Sequence, residues 1–217
     1  MLHIETSGDT ASICLSDETT VLRTASNPNQ KEHSTWLHPS IKQLMADEKL
    51  EMKDIMAVAV SIGPGSYTGL RIGLSAAKGL CYALRIPLIT IGTLEIMALS
   101  ALDENTDLVS PVIDARRMEV FNGVYDRKGI EVIPPRALIL DEHVFDDILA
   151  KGTVCFCGNG KKKLQNIITH TNAKFSDNEI TAADMAVSTY HRFLHGKFAN
   201  LAYTQPLYIK EFYTPLR

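Results

Sequence analysis

Gly63-Pro64-Gly65-Ser66-Tyr67-Thr68-Gly69-Leu70-Arg71-Ile72-Gly73 lies between two apolar runs of different periodicity. Before it, Ile55-Met56-Ala57-Val58-Ala59-Val60-Ser61-Ile62 is rich in residues that favour a buried strand. After it, from Leu70 to Leu84, apolar residues and alanines recur at helical spacing. The stretch therefore reads as strand, glycine loop and helix N-terminus. That geometry offers backbone N–H groups and a helix dipole to an anion, and the glycines permit close approach and positive φ. Neither common nucleotide signature is met. A Walker loop needs Lys directly after its last glycine, where Leu70 and Arg71 follow Gly69. A dinucleotide fingerprint needs glycine or alanine where Thr68 stands. From the residues alone two readings stay open, a phosphate cradle and a structural tight turn.

The chain has 217 residues, 45% hydrophobic and 22% charged, enough for a real core in one domain or two small ones. Its net charge of −3 argues against strong nucleic-acid binding by the chain as a whole, and leaves room only for a local basic patch. Strand-like residues begin at Leu2 with no secretory leader before them, and no apolar run is long enough to cross a bilayer. The expectation is a cytoplasmic protein without a membrane partner. Cys14, Cys81, Cys155 and Cys157 show no paired metal spacing and read as reduced core thiols.

Along the chain, Leu2 to Thr6, Ala11 to Ser16 and Val21 to Ala25 read as an antiparallel meander joined by polar turns. The first turn, Glu5-Thr6-Ser7-Gly8-Asp9-Thr10, has hydroxyls and carboxylates that suit phosphate or Mg²⁺ and equally a solvated turn. Lys31 to Lys49 carries Trp36, Leu37, Ile41, Leu44 and Met45 at helical spacing. His33 and His38 on that helix point apart. Pro87 to Ile91 reads as a strand, and Thr93 to Leu102 as a helix capped by Thr93. The composition turns polar from Leu102 to Asp107, so a boundary is expected there, with domains over 1–103 and 104–217.

The second half restarts with strands at Leu108 to Asp114, Glu119 to Tyr125 and Ile130 to Ile133. The first hairpin contains Asp114-Ala115-Arg116-Arg117-Met118-Glu119. A short helix capped by Asp141, a strand at Thr153 to Cys157, and a helix from Lys161 to Ile168 follow. The last helix, Ala182 to His195, is expected to turn Ala183, Ala186, Val187, Tyr190 and Leu194 to the core and Asp184, Ser188, His191 and His195 to solvent. The pair His191 and His195 shares a face as zinc ligands do, but Asp184 is about 10 Å along the axis and does not complete a site. The tail from Pro206 to Glu211 is expected to dock on the first half.

The glycine run, with Ala76, Lys78 and Gly79 after it, resembles the diagnostic stretch of the TsaB (YeaZ) family. The likeness extends to Lys31-Glu32-His33-Ser34, Thr93-Leu94, Ile113-Asp114-Ala115-Arg116, Met118-Glu119-Val120 and Pro206-Leu207-Tyr208-Ile209. It implies an α/β fold of two ribonuclease-H-like halves in the actin-like ATPase superfold, the second abbreviated. The function it implies is threonylcarbamoyladenosine modification of tRNAs reading codons that begin with A, as a non-catalytic partner of the transferase TsaD. TsaE completes the assembly, a homodimer is expected when the chain is alone, and tRNA is met only through the complex. Glu5 departs from the family's usual Asp.

On that resemblance no catalytic residue, metal site or tightly bound cofactor is expected, and ATP or ADP would bind at the interface of the complex. The residues expected to face partner or nucleotide are Glu5, Thr6, Ser7, Gly63, Pro64, Gly65, Ser66, Thr68, Gly69, Arg71 and Gly73. Interface positions are expected at Trp36, Leu37, Ile41, Leu74 and Lys78, because both helices carry more apolar residues than one core stripe needs. The alternatives are an actin-like ATPase or kinase, with carboxylates only at Glu5 and Asp114, and a metallopeptidase built on His191 and His195, for which neither a third ligand nor a base is found.

Overall fold

The computed structural model of the chain describes residues 1–103 and 105–210. The chain divides into two units: Met1–Ile96 with Ile180–Pro206, and Met97–Glu179 with the stretch from Leu207 on. In the first, β1 (Leu2–Glu5), β2 (Ala11–Asp17) and β3 (Thr20–Asn27) form the antiparallel meander that the turn chemistry predicts. The strands β4 (Val58–Ser61) and β5 (Leu88–Ile91) add to it in parallel, so the sheet order is β3-β2-β1-β4-β5. The helices are α1 (His33–Asp47), α2 (Tyr67–Leu84) and α3 (Thr93–Ser100).

Strand periodicity sorts the core onto two faces. Val58 and Val60 pack with Leu2, Ile4, Leu37, Ile41 and Leu74, whereas Ala57 and Ala59 pack with Ile89, Ile91, Ile96 and Met185. The same alternation puts His3 and Glu5 of β1, and Ser12 and Ser16 of β2, on the face opposite α1 and α2, and all four are buried. A buried polar strand face needs polar partners. The segment after Ile180 supplies them: the Ala182 amide donates to Ser12 Oγ at 2.8 Å, and Thr189 Oγ1 meets His3 Nδ1 at 3.2 Å. This is why the chain returns to the first unit.

The second unit has β6 (Leu108–Asp114), β7 (Glu119–Asp126) and β8 (Glu131–Ile139) in an antiparallel meander. β9 (Val154–Cys157) runs parallel to β6, and β10 (Ala173–Phe175) parallel to β9. The order β8-β7-β6-β9-β10 thus repeats that of the first sheet strand for strand. These are two ribonuclease-H-like halves. The abbreviation lies in the helices rather than the strands: α4 (Asp146–Leu149) has 4 residues and α5 (Lys161–Gln165) has 5, against 15 in α1 and 18 in α2.

Several expectations are corrected. The units divide after Ile96, within α3, not at 103, and residues 180–206 belong to the first unit. The tail joins the second unit from Leu207 on, where Lys210 pairs with Glu119; Glu104 and Glu211 to Arg217 lie outside the described residues. Thr93 is the first residue of α3, and its buried hydroxyl has no hydrogen-bond partner; the Gly92 carbonyl accepts the first helical bond, from Ile96. Asp141 takes the His143 amide well before α4 begins. α6 (Ala186–Leu194), preceded by a 3-10 turn at Ala182–Met185, is rotated from the expected orientation: Ala186 is buried and His191 and His195 are exposed as expected, but Val187 and Leu194 leave the core and Thr189 enters it. Ala182, Met185, Ala186 and Thr189 are buried, while Val187 and Leu194 are 54% and 60% exposed. The polar groups waiting on the sheet, not the count of apolar residues, select the face.

Candidate functional site

The β1–β2 turn and the β4–α2 loop come together at one end of the first sheet. Gly63 has φ 109°, its carbonyl accepts the Thr93 amide at 2.8 Å, and it precedes Pro64 through a cis peptide bond. Ser66 caps α2: its hydroxyl accepts the Gly69 amide at 3.2 Å. The Ser66 amide does not point outward; it donates to the Ser7 carbonyl at 2.7 Å. Thr6 Oγ1 donates to the Gly69 carbonyl at 2.8 Å.

Three glycines of the loop make room for this turn. A Cβ on Gly65 would lie 2.5 Å from the Ser7 carbonyl oxygen; one on Gly69 would run into the Thr6 carbonyl, and one on Gly73 into the Thr6 hydroxyl.

Behind the turn, Glu5 is 1% exposed. Its Oε1 accepts the Ser7 amide at 2.5 Å, while Glu5 Oε2, Ser7 Oγ and Ser61 Oγ are buried without a hydrogen-bond partner. Burial pushes the Glu5 carboxyl above its ordinary range, against the opposing pull of the bond from Ser7. Next along the strand, buried His3 sits between Ser16 Oγ at 2.8 Å and Thr189, and desolvation lowers its pKa to about 3. His33, also buried, has Nε2 3.1 Å from the Asp9 carbonyl, whereas His38 is exposed.

The interface positions divide. Leu37, Ile41 and Leu74 are 1%, 2% and 5% exposed and belong to the unit's own core, so they are corrected from interface to core; Trp36 packs half-buried against the same cluster. The outer face of α1 is polar, with Ser34, Thr35, His38, Lys42 and Gln43 exposed. α2 differs: Tyr67, Thr68, Arg71, Ser75, Gly79, Tyr82 and Ala83 are exposed along one side. Arg71 lies over the Tyr67 ring at 3.8 Å, Tyr82 is 79% exposed, and a Cβ on Gly79 would meet nothing. Lys78 Nζ reaches the Ala202 carbonyl at 3.3 Å.

Among the described residues no three His, Cys, Asp or Glu side chains gather as metal ligands, and His195 Nδ1 lies 2.7 Å from the carbonyl of His191. Burial raises the pKa of Cys14 and Cys157 to about 12. Sequence reasoning singled out Glu5 but missed the buried polar residues around it, His3, Ser12, Ser16 and Ser61. The alternation of polar residues along β1 and β2 was the signal that marks them.

A family model described as TsaD, tRNA N6-adenosine threonylcarbamoyltransferase, matches residues 26–203. Similar chains carry the name tRNA threonylcarbamoyladenosine biosynthesis protein TsaB. That of Bacillus subtilis is 36% identical over 64% of this chain and 62% of its own length. That of Escherichia coli is 27% identical over 97% of this chain and 94% of its own. The chain belongs to this family, on its TsaB (YeaZ) branch. The alignment to the Bacillus subtilis relative stops short of two thirds of that protein, while the Escherichia coli one runs nearly end to end. The crystal structure of a Pseudomonas aeruginosa protein with similarity to peptidase YEAZ superposes with a TM-score of 0.83 over 96% of this chain and 98% of that one, at 21% identity. At that identity the likeness speaks to fold. No helix among the described residues is long and apolar enough to cross a membrane.

Proposed function

We propose that this chain serves tRNA threonylcarbamoyladenosine synthesis as a non-catalytic partner of the transferase TsaD, in an assembly completed by TsaE. The names of its relatives supply the pathway. The observation that carries the non-catalytic part is the filled loop. Thr6 and Ser7 occupy the glycine cradle, and the Ser66 and Gly69 amides are taken by Ser7 and Ser66. Glu5, the carboxylate at this corner, is buried behind the turn. The loop then works as a rigid mount for α2.

The exposed side of α2 is the surface we assign to TsaD, and to a second copy of this chain when TsaD is absent. Gly79 and Ser75 let a facing helix approach closely, between the aromatic groups Tyr67 and Tyr82. ATP or ADP belongs, in this reading, to the interface of the complex and not to the isolated loop. Deleting the gene and measuring threonylcarbamoyladenosine in tRNA by mass spectrometry tests the pathway, with loss of the modification expected. Titration calorimetry with the TsaD of the same organism tests the surface. Gly79→Arg is expected to abolish heat of binding while leaving the circular dichroism unchanged, and undiminished binding would remove α2 from the interface.

A further inference from the structure

The tip of the β6–β7 hairpin is built against its own backbone preference. Arg116 and Arg117 are consecutive residues in the left-handed region, at φ 67° and 51°. Arg116 opens the turn, its carbonyl accepting the Glu119 amide at 3.2 Å, and Arg117 follows as the first central residue; glycine, and next to it asparagine, enters the left-handed region with little strain. Two arginines do so at a cost of about 1 kcal/mol or more each. The strain is held by the surroundings. Asp114 Oδ1 accepts the Arg116 amide at 2.6 Å, the Asp114 amide donates to Asn159 Oδ1 at 2.8 Å, and Lys163 Nζ reaches Asp114 Oδ1 at 2.7 Å, the Arg117 carbonyl at 2.5 Å and the Glu119 carbonyl at 3.1 Å.

The charges around the tip are settled except for these two. Asp114 is paired with Lys163, and Glu119 with Lys210. Arg116 and Arg117 are exposed, and no hydrogen bond or ion pair engages either guanidinium among the described residues. A chain of net charge −3 thus carries a strained projection with two guanidinium groups outside any direct ion pair among the described residues, Arg116 within electrostatic reach of Asp114. Met118, 48% exposed, sits beside them.

We propose that the Arg116–Arg117 hairpin tip is a contact site for RNA phosphodiester groups. Guanidinium groups bind phosphate oxygens in pairs with matched geometry, and a pre-formed tip loses little conformational freedom on binding. RNA is the polyanion chosen because this inference rests on the tRNA reading above; an acidic protein surface is the competitor that the test addresses. The contact is small and adds to those made elsewhere in the assembly.

The test uses the full chain and an unmodified tRNA transcript, followed by fluorescence anisotropy from about 50 to 200 mM salt. The variant R116N/R117G keeps the turn and removes both charges. Its thermal midpoint is expected to stay level or rise. Its affinity at the lowest salt is expected to fall about tenfold, with the slope of log K against log salt shallower by about 1.4 to 1.8, as two lost phosphate contacts require. R116K/R117K is expected to keep most of that slope. Wild-type chain that shows no salt-dependent binding, or R116N/R117G that binds as wild type does, overturns the site. So does polyglutamate competing as well as RNA at equal charge, since it assigns the tip to an acidic protein. If the deletion strain keeps its threonylcarbamoyladenosine, the pathway reading fails, while the anisotropy series still decides the tip.

Discussion

The two halves of the molecule share a topology and differ in how they treat the same corner. Each has an acidic residue at the end of its first strand that accepts the amide two residues on: Glu5 from Ser7 at 2.5 Å, Asp114 from Arg116 at 2.6 Å. Each sets a glycine loop against that turn: Gly63 to Gly69 before α2, Gly158 to Gly160 before α5. In the first half the carboxyl is buried beside unpartnered hydroxyls and pushed up. In the second it is part exposed: partial burial pushes it up, but the Lys163 ammonium and the Arg116 amide outweigh this and hold it below its ordinary range. One corner has closed on itself. The other has become a charged, outward-facing hairpin. A shared strand order fixes where a site can be, and the side chains filling the corner decide what it does.

The sharpest way to break this comparison is to reopen the closed corner. Gly69→Ala drives a methyl into the Thr6 carbonyl and is expected to destabilise by about 3 kcal/mol, read by urea denaturation, with Gly65→Ala close behind. Gly160→Ala, whose Cβ would stand 3.0 Å from the Val112 carbonyl, is expected to lose less. If Gly69→Ala is neutral, the loop is not seated on its turn.

Acid should act on the first half through His3. Its folded pKa of about 3 lies below the ordinary 6.5, so its contribution is present above 6.5 and is lost as pH falls toward 3. The expected slope approaches about 1.4 kcal/mol per pH unit, and His3→Gln removes that part of the dependence. A wild-type and His3→Gln pair with parallel stability profiles between pH 6.5 and 4 would contradict the buried neutral imidazole.

Glu5 has the opposite sign. Its folded pKa is raised, so its contribution is complete below the ordinary value of 4.5 and is lost as pH rises through the folded pKa. Glu5→Gln is therefore expected to be more stable than wild type at pH 8 by urea denaturation, the difference shrinking to nothing in acid. A loss at pH 8 that added Mg²⁺ modulates in the wild type would restore the carboxylate as a cation ligand. The smallest effect belongs to Gly79→Ala, where the new methyl meets open space and helix propensity alone should add about 0.5 to 1 kcal/mol.

Much of the fold was legible in the residues. The change from strand run to helical run around Gly63, the turns of the meander, and the restart of strands at Leu108 each follow from local periodicity and turn chemistry, and β1 to β7 stand where these put them. The short second-half elements were harder. β8 runs on through Pro134 and Pro135 to Ile139, and β10 has only 3 residues, so neither gives a clean signal. In the site, the cap at Ser66 and the glycine requirement could be read in advance, because both are local. The occupant of the cradle could not be, since Thr6 and Ser7 lie some sixty residues away in the chain.

What the sequence by itself determined is the order of elements, the two-part α/β plan, and the placing of the glycine loop between a buried strand and a helix, all of which arise from interactions a few residues apart. The tertiary structure decided three further things. It put Leu37, Ile41 and Leu74 in the core, leaving α2 with the exposed aromatic and small residues; it turned α6 so that Thr189 answers His3; and it closed the glycine loop with the chain's own turn. The physical reason is the same in each case. Periodicity names the faces an element can bury, but which face is buried depends on the polar and apolar groups that distant segments bring to it.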